Sequence, residues 1–398
     1  MRAVGIICEC NPFHGGHQYL IDRARVSGAD AVICVMSGNF VQRGEAAILS
    51  PQARAEILAA SGADAVFELP FPFSAASAEF FGRAGVEILG RLGVDELWFG
   101  SECGDVDTLW RLAEIADSPA FCTTYAARAE RENGTADAYF ALLSEMAGLD
   151  AVCAPNDILG ISYLRAIRKL APHLLPITVC RMGSGYRDAD LPAHQFPSAT
   201  ALRRAWKEQG LPALDGYLSP VSVAVAAREQ TEGRAPADLK HAEALVLGTL
   251  RLTPLSELET YAGLGGGLAG RLKDAASRAS SLADFYALCS TKKYPDARIR
   301  RGVLAALLRV CEEDLQAPIA YVRLLAANGT GCAFVSSIRR FSGLPVLTRK
   351  TDLPTSDAAK RQFEWEQKSA HLYALCAPIF QDPSAQLRRV PLILENKK

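Results

Sequence analysis

The stretch from Val4 to His17 limits what this chain can fold into more than any other. Val4-Gly5-Ile6-Ile7-Cys8 is a short apolar run and reads as a buried strand. Asn11-Pro12 ends it, because proline has no N–H to pair and pushes its predecessor extended. His14 and His17 follow with Gly15 and Gly16 between them. A helix pattern comes next, Leu20, Ile21 and Ala24 on one side and Asp22, Arg23 and Arg25 on the other. The histidines therefore sit at the carboxyl end of a first strand, where open α/β sheets bind ligands. Two histidines three apart at a helix start share a face. The free N–H groups and dipole of the helix suit phosphate, and the glycines let a ligand approach the backbone. A metal pair or a capped turn is the plainer reading of His-x-x-His. Its place directly after strand one favours a nucleotide.

The same strand-then-helix unit recurs. Apolar runs at Ala31–Met36, Ala65–Leu69, Glu96–Phe99 and Leu175–Cys180 alternate with helix patterns at Pro51–Ala60, Ser77–Leu92 and Ile161–Leu170. That alternation predicts an α/β fold with a doubly wound parallel sheet. Residues 106–148 read as polar-faced helices inserted before the sheet resumes. From Leu211 the alternation stops and helix patterns follow, at Ala235–Leu250, from Leu255 and at Ser281–Leu288. Gly263 to Gly267 reads as a helix-to-helix turn, since no strand precedes it. A chain of 398 residues has room for two domains. They are expected at 1–205, α/β and nucleotide-binding, and 206–398, mainly α-helical. The tail from Ala317 yields no pattern.

Charge and cysteine content narrow the setting. The net charge is -1, but residues 1–105 carry 7 basic and 13 acidic side chains against 36 and 31 in the remainder. A basic second half is a weak pointer to an anionic polymer, or simply an uneven surface. Eleven cysteines occur without a Cys-x-x-Cys pair, so no zinc ribbon is expected and no metal ligands are assigned. Cys34, Cys153 and Cys180 read as small core residues. No leader and no long uncharged stretch stand out, so neither export nor a membrane span is expected, and a reducing cytoplasm fits.

Further candidates lie at other strand ends. Gly100 closes the run at Trp98-Phe99, and Arg181 stands just past Cys180, placed to meet phosphate bidentately. Asn156 reads as a helix cap. Arg43 and Glu45 read as a solvated ion pair or as a lid over the nucleotide. Ser198 and Thr200 open a helix, as an ordinary cap or as a phosphate site. Ser290 to Arg301 holds five basic side chains, Lys292, Lys293, Arg298, Arg300 and Arg301, against one acid. With Tyr294 among them they would grip an RNA backbone and stack a base, or merely form a solvated helix face.

His14-Gly15-Gly16-His17 resembles the His-x-Gly-His signature of the nucleotidyltransferase superfamily, with its Rossmann-like sheet. Ser198-Ala199-Thr200-Ala201-Leu202-Arg203 resembles that superfamily's Ser-Ser-Thr-x-Ile-Arg motif, with alanine at the second serine. Glu9 to His17, Met36 to Glu45, Phe67-Glu68-Leu69-Pro70 and Phe99-Gly100-Ser101-Glu102 resemble the bacterial tRNA(Met) cytidine acetate ligases. The likeness is specific over residues 1–205 and thinner beyond, through Thr291-Lys292-Lys293-Tyr294. It implies activation of acetate by ATP to acetyl adenylate, and acetylation of the wobble cytidine of elongator tRNA(Met) to N4-acetylcytidine. His14 and His17 would be the catalytic residues. ATP would be held by Ile7, Cys8, Glu9, Cys10, Asn11, Pro12, Phe13, His14, Gly15, Gly16, His17, Gln18, Tyr19, Leu20, Gly100, Asn156, Arg181, Ser198 and Thr200. Mg2+ is a candidate companion of the ATP. Two other readings stay open: a nucleotidyltransferase acting on a small phosphorylated acceptor, and a non-catalytic nucleotide-sensing, RNA-binding protein. The oligomeric state is not legible.

Overall fold

The computed structural model describes residues 1–132, 136–149, 154–181, 197–291, 293–338 and 343–395. Five strands of the first half form the expected parallel sheet: β1 (Ala3–Cys8), β2 (Ala31–Ser37), β5 (Ala65–Leu69), β6 (Glu96–Ser101) and β7 (Leu175–Cys180). Between β2 and β5 a small antiparallel hairpin, β3 (Phe40–Val41) and β4 (Glu45–Ala46), stands off the sheet. The crossover helices are α1 (Gly15–Val26), α2 (Pro51–Ala60) and α3 (Ala78–Arg91). They are followed by α4 (Val106–Ala116), α5 (Pro119–Glu132), α6 (Ala136–Ala147) and α7 (Pro155–Leu170), and then by α8 (Ala199–Gln209).

The side-chain period of two sorts each strand between two cores. Ile7, Ile33, Val35, Phe67 and Leu97 point to a core shared with α3, α4 and α7. Val4, Ile6, Cys34, Val66 and Trp98 point the other way, to a core shared with α1, α2 and α8. Helices thus cover both faces, which is why the strands lack polar alternation.

The second half is mainly helical: α9 (Pro220–Thr231), α10 (Glu243–Leu252), α11 (Leu255–Leu258), α12 (Leu268–Arg278), α13 (Leu282–Cys289), α14 (Asp296–Leu308), α15 (Gly329–Ile338), α16 (Asp357–Leu375) and α17 (Pro383–Arg388). Part of the expected helix at Ala235–Leu250 is instead a 3-10 turn, Leu239–Ala242, before α10. Phe40 of the hairpin and Phe71 of the β5–α3 connection are buried in the helical core of this half.

The tail without a sequence pattern returns to the sheet. β8 (Val322–Ala327) pairs antiparallel with β5, and β9 (Val346–Leu347) and β10 (Leu392–Ile393) pair parallel with β8. The sheet therefore has eight strands, ordered β10-β8-β5-β2-β1-β6-β7 with β9 also on β8. Arg323 lies inside β8, buried, with Nη2 3.0 Å from Glu366 Oε2 and Nε 3.8 Å from Glu68 Oε2. Cys34 is a core residue as expected. Cys180 is exposed at the end of β7, the outermost strand on its side, and Cys153 lies outside the described residues.

Candidate functional site

At the carboxyl ends of β1, β6 and β7 lies a cavity of about 410 Å³. β1 delivers Ile7 and Cys8 to its wall, the turn after it delivers Glu9, Cys10 and Asn11, and the start of α1 delivers His14, Gly16, His17, Tyr19 and Leu20. Gly100 comes from β6, Asn156 from α7, Arg181 from the end of β7, and Ser198 and Thr200 from the start of α8. Five separate stretches of sequence thus meet in one place. Pro12, Phe13, Gly15 and Gln18 are not part of the lining. Phe13 is buried with its ring 5.6 Å from that of His17, and Gln18 Nε2 donates to Ser61 O and Asp22 Oδ1.

The histidines build the first turn of α1. His14 is its N-cap, its Nδ1 accepting the Gly16 N–H at 3.0 Å, while His17 Nδ1 accepts the His14 N–H at 3.2 Å. Gly16 is required there, since a Cβ would come within 2.9 Å of the His14 ring. Burial, reinforced by the charges of Arg181 and Arg203, lowers His14 to a pKa of about 4. Burial, then His14 and Arg181, hold His17 well below its usual value. Both rings are neutral near pH 7.

Asn11 is 2% exposed, lines the cavity and carries an orphaned donor. Its Oδ1 accepts the Ile48 N–H at 2.7 Å, which fixes the amide's orientation, and Nδ2 finds no partner among the described residues. A buried unpaired amide costs about 1–3 kcal/mol, which a ligand acceptor would offset. Glu9 Oε1 accepts the Gln42 N–H at 2.8 Å. Burial raises this carboxyl, with the positive charge of Arg43 opposing the rise.

Ser198 is the N-cap of α8, accepting the Ala201 N–H at 3.1 Å. Thr200 lies inside the first turn, and its Oγ1 accepts from Arg43 Nη1 at 3.2 Å and Arg203 Nη2 at 3.4 Å. Asn156 is not the cap of α7: Ala154 is, its N–H donating to Asp157 Oδ2, because Pro155 takes the first helical position. Asn156 instead donates from Nδ2 to Glu102 Oε1 at 2.6 Å.

Arg43 and Glu45 do not form the expected ion pair with each other. Glu45 pairs with Arg203 at 3.0 Å and with Arg300 at 2.5 Å. Burial pushes its carboxyl up, but Arg203 and Arg300 outweigh that and hold it below the usual range. The hairpin also packs against α14: Arg301 Nη1 donates to Gln42 O at 3.2 Å, and Gly44, at φ +75°, has Arg301 N 2.5 Å from where a Cβ would be.

Of the basic stretch, Arg301 lines the cavity and Arg300 faces the hairpin. Lys293 and Arg298 flank Tyr294, Nζ 5.3 Å and the guanidinium carbon 5.4 Å from the ring centroid. Tyr294 is buried and donates to Gly266 O at 2.5 Å, so it anchors the glycine turn and does not offer a face to a base. Lys292 lies outside the described residues. Arg43, read as one half of an ion pair or of a lid, lines the cavity; the sequence reading missed Gln42 and Tyr163 as lining residues, and Arg203 as the donor that holds Asn11 O at 2.8 Å. Arg203, three residues after Thr200 on the same helix face, was the legible signal.

The family description HIGH Nucleotidyl Transferase matches residues 1–387. The tRNA(Met) cytidine acetate ligase of Acetivibrio thermocellus is 32% identical over 398 residues, 94% of this chain and 95% of that protein. That of Syntrophotalea carbinolica is 36% identical over 366 residues, 87% and 85% of the two chains. The crystal structure of Thermotoga maritima TmcAL superposes with a TM-score of 0.92 at 28% identity, over 100% of both chains. The same protein bound with alpha-thio ATP gives 0.89 at 28% identity, again over 100% of both. The chain belongs to the HIGH nucleotidyl transferase family and, within it, to the tRNA(Met) cytidine acetate ligases.

Proposed function

We propose that this protein is an ATP-dependent ligase that activates acetate and transfers the acetyl group to the exocyclic amine of the wobble cytidine of elongator tRNA(Met). The observation that carries this reading is the meeting of His14, His17, Arg181 and the Ser198 helix start on one cavity at the sheet's carboxyl end. ATP would lie there with its phosphates toward Arg181 and the first N–H groups of α8. An acetate oxygen attacks the α-phosphorus, a phosphorus–oxygen bond forms, and pyrophosphate leaves with the electrons of the broken one. Such a transfer needs positioning and charge neutralisation rather than covalent help. The histidines, being neutral, would donate hydrogen bonds to developing oxyanions and would not act as bases.

In the second step the cytidine amine attacks the acetyl carbon, the bond from that carbon to the AMP oxygen breaks, and the amine's surplus proton passes to water. Among the described residues no group of three or more His, Cys, Asp or Glu gathers that would hold a metal. Mg2+ enters this reading only as a companion of the ATP phosphates, and no step is routed through it. The basic stretch would hold the tRNA. No helix among the described residues is long and apolar enough to cross a membrane. A cytoplasmic setting goes with a tRNA substrate and with free thiols.

The test is purified protein with ATP, labelled acetate and bulk bacterial tRNA, followed by nucleoside analysis. Label in N4-acetylcytidine is expected. Acetate-independent pyrophosphate release onto a small acceptor would replace this reading by the nucleotidyltransferase one. ATP binding without pyrophosphate release would replace it by the sensing one.

A further inference from the structure

A second cavity, of about 280 Å³, adjoins the first. Phe71 and Pro72 of the β5–α3 connection, Phe80 of α3 and Leu304 of α14 give it apolar walls, and Arg298 and Arg301 border it. Arg301 lines both cavities. The first turn of α3 divides them, since Ala78 and Phe81 face the nucleotide cavity and Phe80 faces the other. Such a chamber is at the lower end of small-molecule sites, about 300–1,000 Å³, and suits one nucleoside better than a cofactor.

We propose that this second cavity receives the acceptor base, a pyrimidine turned out of its RNA strand. The proposal rests on the ligase reading above. An enzyme that modifies a base within a folded RNA must take that base out of the stack, and flipped bases are held between aromatic or apolar side chains. Phe80, Phe71 and Pro72 supply that kind of surface. The two guanidinium groups supply the charge complement of the flanking phosphates. Arg298 is pre-set for this by its hydrogen bond to Gly265 O, 3.1 Å, and by its place over the Tyr294 ring. Arg301 stands at the shared wall, where the base edge would meet the activated carboxylate. Because Arg301 lines both cavities, the amine edge of a base in this chamber and the acetyl donor would meet beside one arginine.

Phe80 is the residue to test. It is partly buried and packs on the helical core, so Phe80→Leu keeps the apolar contact and removes the ring. Phe80→Tyr keeps the ring. Acetate-dependent exchange between ATP and pyrophosphate is measured without tRNA, and acetyl transfer to tRNA is measured separately. The expected result is that Phe80→Leu leaves exchange unchanged and lowers kcat/KM for tRNA acetylation on the order of tenfold or more, while Phe80→Tyr stays near the wild type. Wild-type acetylation in Phe80→Leu would overturn the proposal. A raised KM for ATP in the exchange reaction would also overturn it, by giving the chamber to the adenine ring. Loss of both reactions in Phe80→Leu with both kept in Phe80→Tyr would assign the ring to the fold and not to a base, again overturning it. Absence of exchange in the wild type would be a failure of the ligase reading itself, and the proposal would fall with it.

Discussion

The imidazoles of His14 and His17 lie with ring centroids 4.1 Å apart, and each accepts a backbone N–H at Nδ1. In a neutral ring that accepts at Nδ1 the proton sits on Nε2. The helix start thus fixes the tautomer of both rings and leaves each with one neutral N–H donor. On the ligase reading, two neutral donors beside Arg181 would stabilise an oxyanion without adding cations that would repel one another.

Replacing His14 or His17 with Ala should remove one such donor. A loss of roughly 3 kcal/mol of transition-state stabilisation, on the order of a hundredfold in acetate-dependent pyrophosphate release, is expected. Stopped assays on the two variants, with circular dichroism as a control for folding, check this. Wild-type rates in both would take the histidines out of the chemistry.

The buried rings also predict a pH effect on stability. His14 is depressed from 6.5 to about 4 in the folded protein. Between those values the unfolded chain binds a proton that the folded one does not, so stability falls as pH drops from about 6.5 toward 4. Glu68 acts with the opposite sign. Burial, then Glu366, raise it from 4.5 to about 7, so the folded state holds the extra proton and stability falls as pH rises through that window. Denaturant titrations of His14→Ala and Glu68→Gln against the wild type, at pH 4.5 and 7, should separate the two. His14→Ala should flatten the acid-side loss and Glu68→Gln should flatten the other. Parallel curves for all three proteins would contradict both assignments.

Arg181→Ala should weaken ATP binding more than tRNA binding, because the residue lines the nucleotide cavity next to both histidines. Calorimetry with ATP and filter binding with tRNA measure the two affinities. Intact ATP affinity with lost tRNA affinity would reverse the role.

The cavity-lining face of this fold was legible because its signals are local. A strand, a proline break and a helix start place His14 and His17, and the same grammar places Gly100, Arg181 and Ser198. The tail was not legible because its strand breaks the expected code. Val322–Ala327 carries a buried arginine whose partners, Glu68 and Glu366, lie far away in sequence. Asn156 was taken for a cap because its type fits one. The proline before it shifts the frame by two positions, and only the capping hydrogen bond of Ala154 reveals that. The hairpin's role was hidden for the same reason as Arg323: Arg43 meets Thr200, and Glu45 meets Arg203 and Arg300, across long stretches of chain.

Changing Lys292 and Lys293 together to Glu should leave acetate-dependent pyrophosphate release nearly unchanged and abolish transfer to tRNA. Lys293 is exposed and does not line the nucleotide cavity. Wild-type binding to tRNA should weaken steeply with salt, and the variant's slope should be shallower by about one unit per lost phosphate contact. An unchanged slope and an unchanged melting temperature would move the RNA surface elsewhere.

Arg323→Met should be strongly destabilising, by about 3–5 kcal/mol, because it leaves Glu366 and Glu68 buried without their cation. Urea unfolding gives the difference directly. The triple change to apolar residues should recover much of it, and a triple variant as weak as Arg323→Met would show that the charges themselves matter.

The antiparallel pairing of β8 with β5 has a consequence during synthesis. A nascent chain leaves the ribosome with β5 complete and its outer row of amides uncovered until residues 322–327 emerge. Asp64 waits as long, since its Oδ1 accepts from Asn328 Nδ2 and its carbonyl accepts the Asn328 N–H. Arg301, later still in the chain than residue 205, also lines the nucleotide cavity. A protein stopped at residue 205 should therefore aggregate through β5 and should not activate acetate. On the ligase reading, no partly made copy in the cell would consume ATP before the part that carries the tRNA contacts exists.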